Sequence, residues 1–284
     1  MNRKNDMVDD KKAYQSSKEI RKEIFLVSHK AKGAHLGGCF SCVEILNALY
    51  LQGHLKIDAK NPYDENRDRF VLSKGHAGLA LYAVLYKMGF LSKEKLYCYC
   101  MDGGNLGTHP KKNEIPGIEA STGSLGHGLS YSIGLALGAK YKKKDFNVYC
   151  LLGDGECQEG SIWEGMLSAP QLKLNNLTVI IDYNKMQAMD YLDNIIALTP
   201  LKEKCRAFNW DTYEVDGHNI GELMEALCMP TSTRPKMIIA NTVKGKGISF
   251  MEGEPLWHFR APNLQELEIV KKELNITDEE LTLG

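Results

Sequence analysis

From residue 147 onward, short apolar runs alternate with stretches of helical spacing, and this alternation restricts the possible folds more than any other feature. The spacing predicts strands over 148–152, 177–182, 212–215 and 237–240, with a helix over 159–172 between the first two. Strands separated by helices imply right-handed crossovers, because a twisted strand packs its following helix back onto the sheet only that way. The expected fold class is therefore α/β, a mostly parallel central sheet with helices on both faces. Open parallel sheets bind ligands in the crevice outside the strand carboxyl ends. Gly153-Asp154-Gly155, Asp182-Tyr183-Asn184 and Lys244-Gly245-Lys246-Gly247 all fall at such ends.

The first third of the chain reads as helical. Ile20, Ile24 and Val27 recur at helical spacing over 16–30, and Gly33 lies just beyond as a stop. Ser41 and Glu44 stand at capping-box spacing, and the apolar face of that second helix is Ile45, Leu46, Leu49 and Tyr50. Arg69-Phe70-Val71-Leu72 reads as a strand that breaks at Ser73-Lys74-Gly75-His76 before another apolar helix. Asn263 with Glu266 opens a final helix, expected to dock on or project from the body.

A length of 284 residues suits two domains or one large α/β unit. Lys and Arg number 35 against 36 Asp and Glu, so no basic field favours nucleic acid. Residues 1–12 are charged with no apolar segment behind them, and the longest apolar stretch, 77–86, is half the ~20 residues of a membrane span. The expectation is a cytoplasmic protein without nucleic-acid or membrane partners. Cys39 and Cys42 form a C-x-x-C with no second Cys or His pair beside it, which favours buried reduced thiols over a redox or zinc site. Tyr97-Cys98-Tyr99-Cys100 likewise reads as aromatic and thiol side chains on a buried face.

The chemistry concentrates at Asp154 and, thirty residues on, Asn184 at the end of the next strand. A carboxylate, an amide oxygen and a backbone carbonyl just beyond are hard ligands suited to Mg²⁺, which shares its shell with waters and phosphates. The Gly155 N–H, near a helix start, suits an anion, and a diphosphate bridged by magnesium satisfies both halves. Either segment alone reads as an ordinary turn; the pairing is what points to a site.

These segments resemble the thiamine diphosphate motif and diphosphate-binding domain of transketolase. Similar matches are Ala34-His35-Leu36-Gly37-Gly38, the run from Arg67 to His76, Thr122-Gly123-Ser124-Leu125-Gly126, Val215-Asp216-Gly217-His218 and Trp257-His258, in the family's order over nearly the whole chain. The resemblance implies that residues 1–284 are one diphosphate-binding domain with an N-terminal helical extension and a C-terminal helix, the pyrimidine-binding domain being absent. It implies thiamine diphosphate and Mg²⁺ as cofactors, with Asp154, Asn184 and the Met186 carbonyl matching the metal ligands. Gly153 and Gly155 match diphosphate contacts, Gly123 and Leu125 backbone positions at the aminopyrimidine ring, and His76 and His258 residues near the diphosphate and reacting carbon. His35 matches a residue that handles substrate hydroxyl protons, and His109 one that lines the sugar channel. Imidazoles suit this work because they exchange protons near neutral pH. Glu159 and Glu164 match carboxylates between the two active sites of a dimer.

The implied activity is transfer of a two-carbon ketol unit from a ketose phosphate to an aldose phosphate. The implied partner is a separate C-terminal transketolase subunit carrying the pyrimidine-binding and C-terminal domains, assembled as a pair of heterodimers. Departures fall at the pocket edge: no Arg aligns before the His109 turn, Met189-Asp190-Tyr191 stands where a small Gly turn is common, and Phe259 follows His258 where Gly is common. A deoxyxylulose phosphate synthase-like or oxo-acid-using half-enzyme, and a noncatalytic module of the same fold, remain as alternatives. Lys244-Gly245-Lys246-Gly247 lacks P-loop spacing and reads as loop structure near the site.

Overall fold

Five strands, β1 (Arg69–Leu72), β2 (Val148–Gly153), β3 (Leu177–Tyr183), β4 (Asp211–Asp216) and β5 (Lys236–Asn241), form one sheet in the order β1-β2-β3-β5-β4, with every pairing parallel. The computed structural model describes residues 9–188, 190–231 and 233–283, so Met189 and residues 1–8 of the charged N-terminal run lie outside it. Helices α1 (Asp10–Lys30), α2 (Leu36–Ser41), α3 (Val43–Tyr50), α4 (Gly78–Lys87) and the single turn α5 (Lys93–Leu96) precede α6 (His127–Tyr141) and α7 (Gly160–Gln171). After β3 come α8 (Leu192–Ile195), α9 (Leu201–Ala207) and α10 (Ile220–Cys228), followed by α11 (Leu264–Leu274) and α12 (Asp278–Leu283).

Alternation along the strands explains why both faces are covered. Phe70, Tyr149, Leu151, Ile180 and Ile238 join one core with α1, α3, α4 and α10. Their neighbours Val71, Cys150, Leu152, Val179, Ile181, Met237 and Ile239 join a second core with α6, α7 and Trp210, whose indole N–H donates to the Met166 carbonyl at 2.9 Å. With a period of two, every other side chain faces each way, so a strand buried on both faces must be apolar throughout. Burying a large aliphatic or aromatic side chain is worth about 1.5–3 kcal/mol, which is why these strands stand out in the sequence. No helix among the described residues is long and apolar enough to cross a membrane.

The parallel register levels the strand ends where the site forms. Gly153 pairs with Asp182 and Asp182 with Ala240, so Asp154, Asn184 and the segment after β5 leave the sheet side by side.

Several local expectations are corrected. Helix α1 starts at Asp10 rather than near 16, because the Asp9 side chain accepts from the Lys12 N–H at 3.3 Å. The capping box expected from Ser41 and Glu44 does not form: Cys42 occupies the N-cap of α3 without a side-chain cap, and both residues turn inward to long-range partners. In the Tyr97–Cys100 segment the two tyrosines are buried, whereas Cys98 and Cys100 are exposed. The box at Asn263 and Glu266 is present in full, and α11 docks through buried Val270 and Leu274. Cys39 and Cys42 are buried free thiols whose ionisation is pushed up by burial.

Candidate active site

A cavity of about 360 Å³ opens at the carboxyl ends of β1, β2, β3 and β5. Gly153, Asp154, Gly155 and Glu159 reach it from the end of β2, Asn184 and Met186 from the end of β3. His76, Gly123, Leu125 and His258 complete the predicted part of its wall.

Asp154 is 2% exposed, and its carboxylate accepts the Gly155 N–H at 2.7 Å and the Lys185 N–H at 2.5 Å. Burial, reinforced by the nearby Asp182 charge, nevertheless pushes its pKa up to about 7. A carboxylate so raised is short of positive charge. Lys185 has φ of 63°, which turns the chain so that Asn184 Oδ1 accepts the Met186 N–H at 3.1 Å. Asp154 and the 184–186 turn are thereby held on one another.

Beneath them lies a buried network that sequence reasoning missed. Asp182, fully buried, accepts from Lys74 Nζ, Thr242 Oγ1 and, at 2.6 Å, Ser41 Oγ. Lys74 also donates to the Gly38 carbonyl at 2.9 Å. Glu156, also unpredicted, accepts from Ser73 Oγ, the Gly126 N–H at 2.8 Å and the Gly153 N–H at 3.2 Å, so one carboxylate ties three loops together. Gly75 makes the loop contact possible, since a Cβ there would lie 2.6 Å from the Gly123 nitrogen.

Lys244 corrects the reading of its segment as loop structure only. Its side chain enters the cavity, donating to the Gln187 carbonyl at 2.8 Å and standing 3.2 Å from His258 Nδ1. Burial and the Lys74 charge lower its pKa to about 8. Gln187 Nε2, on the same wall, is buried without a hydrogen-bond partner. The cavity thus joins an under-neutralised carboxylate to a cation and a free donor, the makings of a site for a cation and an anion together.

Four histidines form a contiguous group at the rim. The His35 ring lies 5.1 Å from that of His258, 5.6 Å from His76 and 6.3 Å from His109. Phe259 packs edge-on against His35 at 4.8 Å. Glu164 stands apart, exposed on α7 and outside the cavity lining. The expectation of imidazoles titrating near neutral pH is altered, because burial, with neighbouring positive charge, lowers His35 and His258 to about 4 and His76 well below its usual range. These rings are held neutral.

The unfolded chain takes up those protons near 6.5, so between about 6.5 and 4 it binds more protons than the native state. The contribution of these rings to stability therefore falls as pH is lowered through that window, three imidazoles outweighing the opposite contribution of the single raised Asp154 carboxyl. Denaturation midpoints measured from pH 7 to 4.5 should decline, and His35→Gln should flatten the decline; an unchanged slope would contradict neutral burial of that ring.

The family description "Transketolase, thiamine diphosphate binding domain" matches residues 15–282. The chain belongs to the transketolase family. It is 39% identical over 267 residues to a subunit of the apulose-4-phosphate transketolase of Phocaeicola vulgatus, covering 93% of this chain and 94% of that protein. It is 42% identical over 241 residues to the 6-deoxy-6-sulfo-D-fructose transketolase subunit SqwG of a Clostridium species, covering 84% and 87%. Among solved structures, the transketolase of Leishmania mexicana superposes with a TM-score of 0.86 at 26% identity, covering 95% of this chain. This transketolase-family chain spans 43% of that protein's length. Membership places it among thiamine diphosphate-dependent enzymes that move ketol units between sugar phosphates.

Proposed function

We propose that this chain is the cofactor-holding subunit of a split transketolase, which moves a two-carbon ketol unit from a ketose phosphate to an aldose phosphate together with a separate C-terminal subunit. The observation that carries the reading is Asp154, a buried carboxylate raised to about 7 at a cavity that also receives Lys244 and the unpartnered Gln187 amide. Such a group fits a divalent cation. Among the described residues no three His, Cys, Asp or Glu side chains cluster as a metal site, so Mg²⁺ would rely on Asp154, Asn184 and the Met186 carbonyl, with the diphosphate and water supplying the remaining oxygens. Gly153 and Gly155 would line the diphosphate with their N–H groups engaged by Glu156 and Asp154, so His76, His258 and Lys244 would hold it, and Gly123 and Leu125 the aminopyrimidine ring.

When bound, the coenzyme supplies the electron sink for breaking and making the carbon–carbon bond. This chain's share is to bind, orient and manage protons. His35, held neutral by burial, and His109 would exchange protons with the sugar hydroxyls, their N–H groups donating where negative charge develops on oxygen. Glu159 reaches the cavity, while Glu164 suits a contact between the two active sites of the assembly. The reading includes a pair of heterodimers working in the cytoplasm, with the partner contributing the pyrimidine-binding and C-terminal domains. Relatives of similar length, from Phocaeicola vulgatus and the Clostridium species, are each named as one subunit of their transketolase, which supports a divided enzyme.

Purification from the native host should bring down a stoichiometric second chain with thiamine diphosphate and ketol transfer from xylulose 5-phosphate to ribose 5-phosphate. Reaction with pyruvate but not with ketose phosphates would move the assignment to another thiamine enzyme. A solitary, cofactor-free chain would make it a noncatalytic module.

A further inference from the structure

Glu44, freed from the expected helix cap, begins a chain of contacts that leaves the sheet's helical layer and returns to the cavity. Arg21 of α1 grips its carboxylate with both terminal nitrogens, at 2.6 and 2.7 Å, and donates to the Phe40 carbonyl at 3.0 Å. Burial opposes ionisation of Glu44, yet Arg21 and His218 hold its pKa down to about 2. His218, in the loop after β4, places Nδ1 2.8 Å from Glu44 Oε2. Its other nitrogen, Nε2, accepts the Val243 N–H at 2.8 Å. Because Nε2 accepts, the ring proton must sit on Nδ1 and be donated to Glu44, so the carboxylate fixes the tautomer that Val243 requires.

Val243 immediately precedes Lys244, and the same segment is held at two further points. The Gly245 N–H donates to the Gly37 carbonyl at 3.0 Å. Gly247, at φ of 96°, lies against the Arg21 stem, where a Cβ would come within 2.8 Å of Arg21 Cδ. His218 therefore holds the backbone just before Lys244 and the Arg21 stem packs against Gly247 just beyond it, while neither lines the cavity.

We propose that Arg21, Glu44 and His218 form a positioning relay that holds the Lys244 backbone so that its ammonium group meets the diphosphate of the bound cofactor. The inference rests on the cofactor reading above and adds residues from three separate segments to it. A structural ion pair alone would affect folding but would not depend on Lys244 in its effect on cofactor affinity.

The test is calorimetric titration of thiamine diphosphate with Mg²⁺ into the enzyme assembled with its partner chain. His218→Phe removes the acceptor for Val243 and should raise the cofactor Kd about tenfold, the loss of one well-placed hydrogen bond. His218→Gln, whose amide oxygen can accept the same N–H, should recover most of that loss. In a double-mutant cycle, His218→Phe should add little to Lys244→Ala, because the relay acts through that lysine. Unchanged affinity in folded His218→Phe, or full additivity with Lys244→Ala, would overturn the relay. If His218→Phe does not fold, His218→Ala carries the same expectations. Wild-type enzyme that binds no thiamine diphosphate would instead overturn the cofactor reading, and the relay with it.

Discussion

Asp154→Ala should reduce ketol transfer by the assembled enzyme by about 10³-fold or more, with Mg²⁺-dependent binding of thiamine diphosphate lost in parallel. The size follows from its place as the one carboxylate among the proposed metal ligands. Asp154→Asn makes a sharper comparison. With its pKa raised to about 7 from an ordinary 3.8, the carboxylate without metal costs the fold progressively more stability as pH rises through that interval. At pH 8 the cofactor-free Asn variant should therefore melt above the wild type, yet gain no stability from thiamine diphosphate and Mg²⁺. If cofactor-free wild type and variant melt alike and both respond to cofactor, Asp154 is not a metal ligand.

Lys74→Met should destabilise the protein by about 3–5 kcal/mol, the usual consequence of removing one member of a buried ion pair and leaving the other charged. Asp182 would keep its hydroxyl donors, Ser41 and Thr242, but lose the ammonium group. For a chain of this size the loss amounts to roughly 10 °C in Tm. The double variant Lys74→Met/Asp182→Leu should recover part of it, because no uncompensated charge remains. A Lys74→Met protein as stable as the wild type would show that the pair carries no such charge in the fold.

What the sequence made legible, and what it concealed, divides along the range of the interactions. The strands were readable because burial on both faces leaves continuous apolar runs such as Val148 to Leu152, flanked by turns. Asp154, Asn184 and the histidines could be singled out because their motifs stand in the order that the resemblance gives. Ser41 and Glu44 misled because capping-box spacing is a local pattern, whereas their actual partners, Asp182, Arg21 and His218, lie 141, 23 and 174 residues away. Lys74 and Lys244 sit in glycine-rich segments whose sequence carries no sign of burial; only the packed structure withdraws them from water. The low pKa values of His35 and His258 were hidden for the same reason, since burial belongs to the tertiary fold and not to the tripeptide. Asn263 and Glu266, by contrast, satisfied one another within four residues, and there the local pattern was enough.

The position of β5 has a consequence for biosynthesis. Although last in sequence, it lies between β3 and β4, so β4 has no place on the sheet until β5 has been made. On the ribosome, β1, β2 and β3 can pair as they emerge, but β4 must wait as an unpaired segment until residues 236–241 clear the exit tunnel. Asp154 and Asn184 are therefore translated well before the strand that delivers Lys244 beside them. A stall between residues 216 and 236 would leave a nascent chain with both oxygen-donor turns, the exposed inner edge of β3 and no partner for it: the stage at which chaperone attachment would matter most.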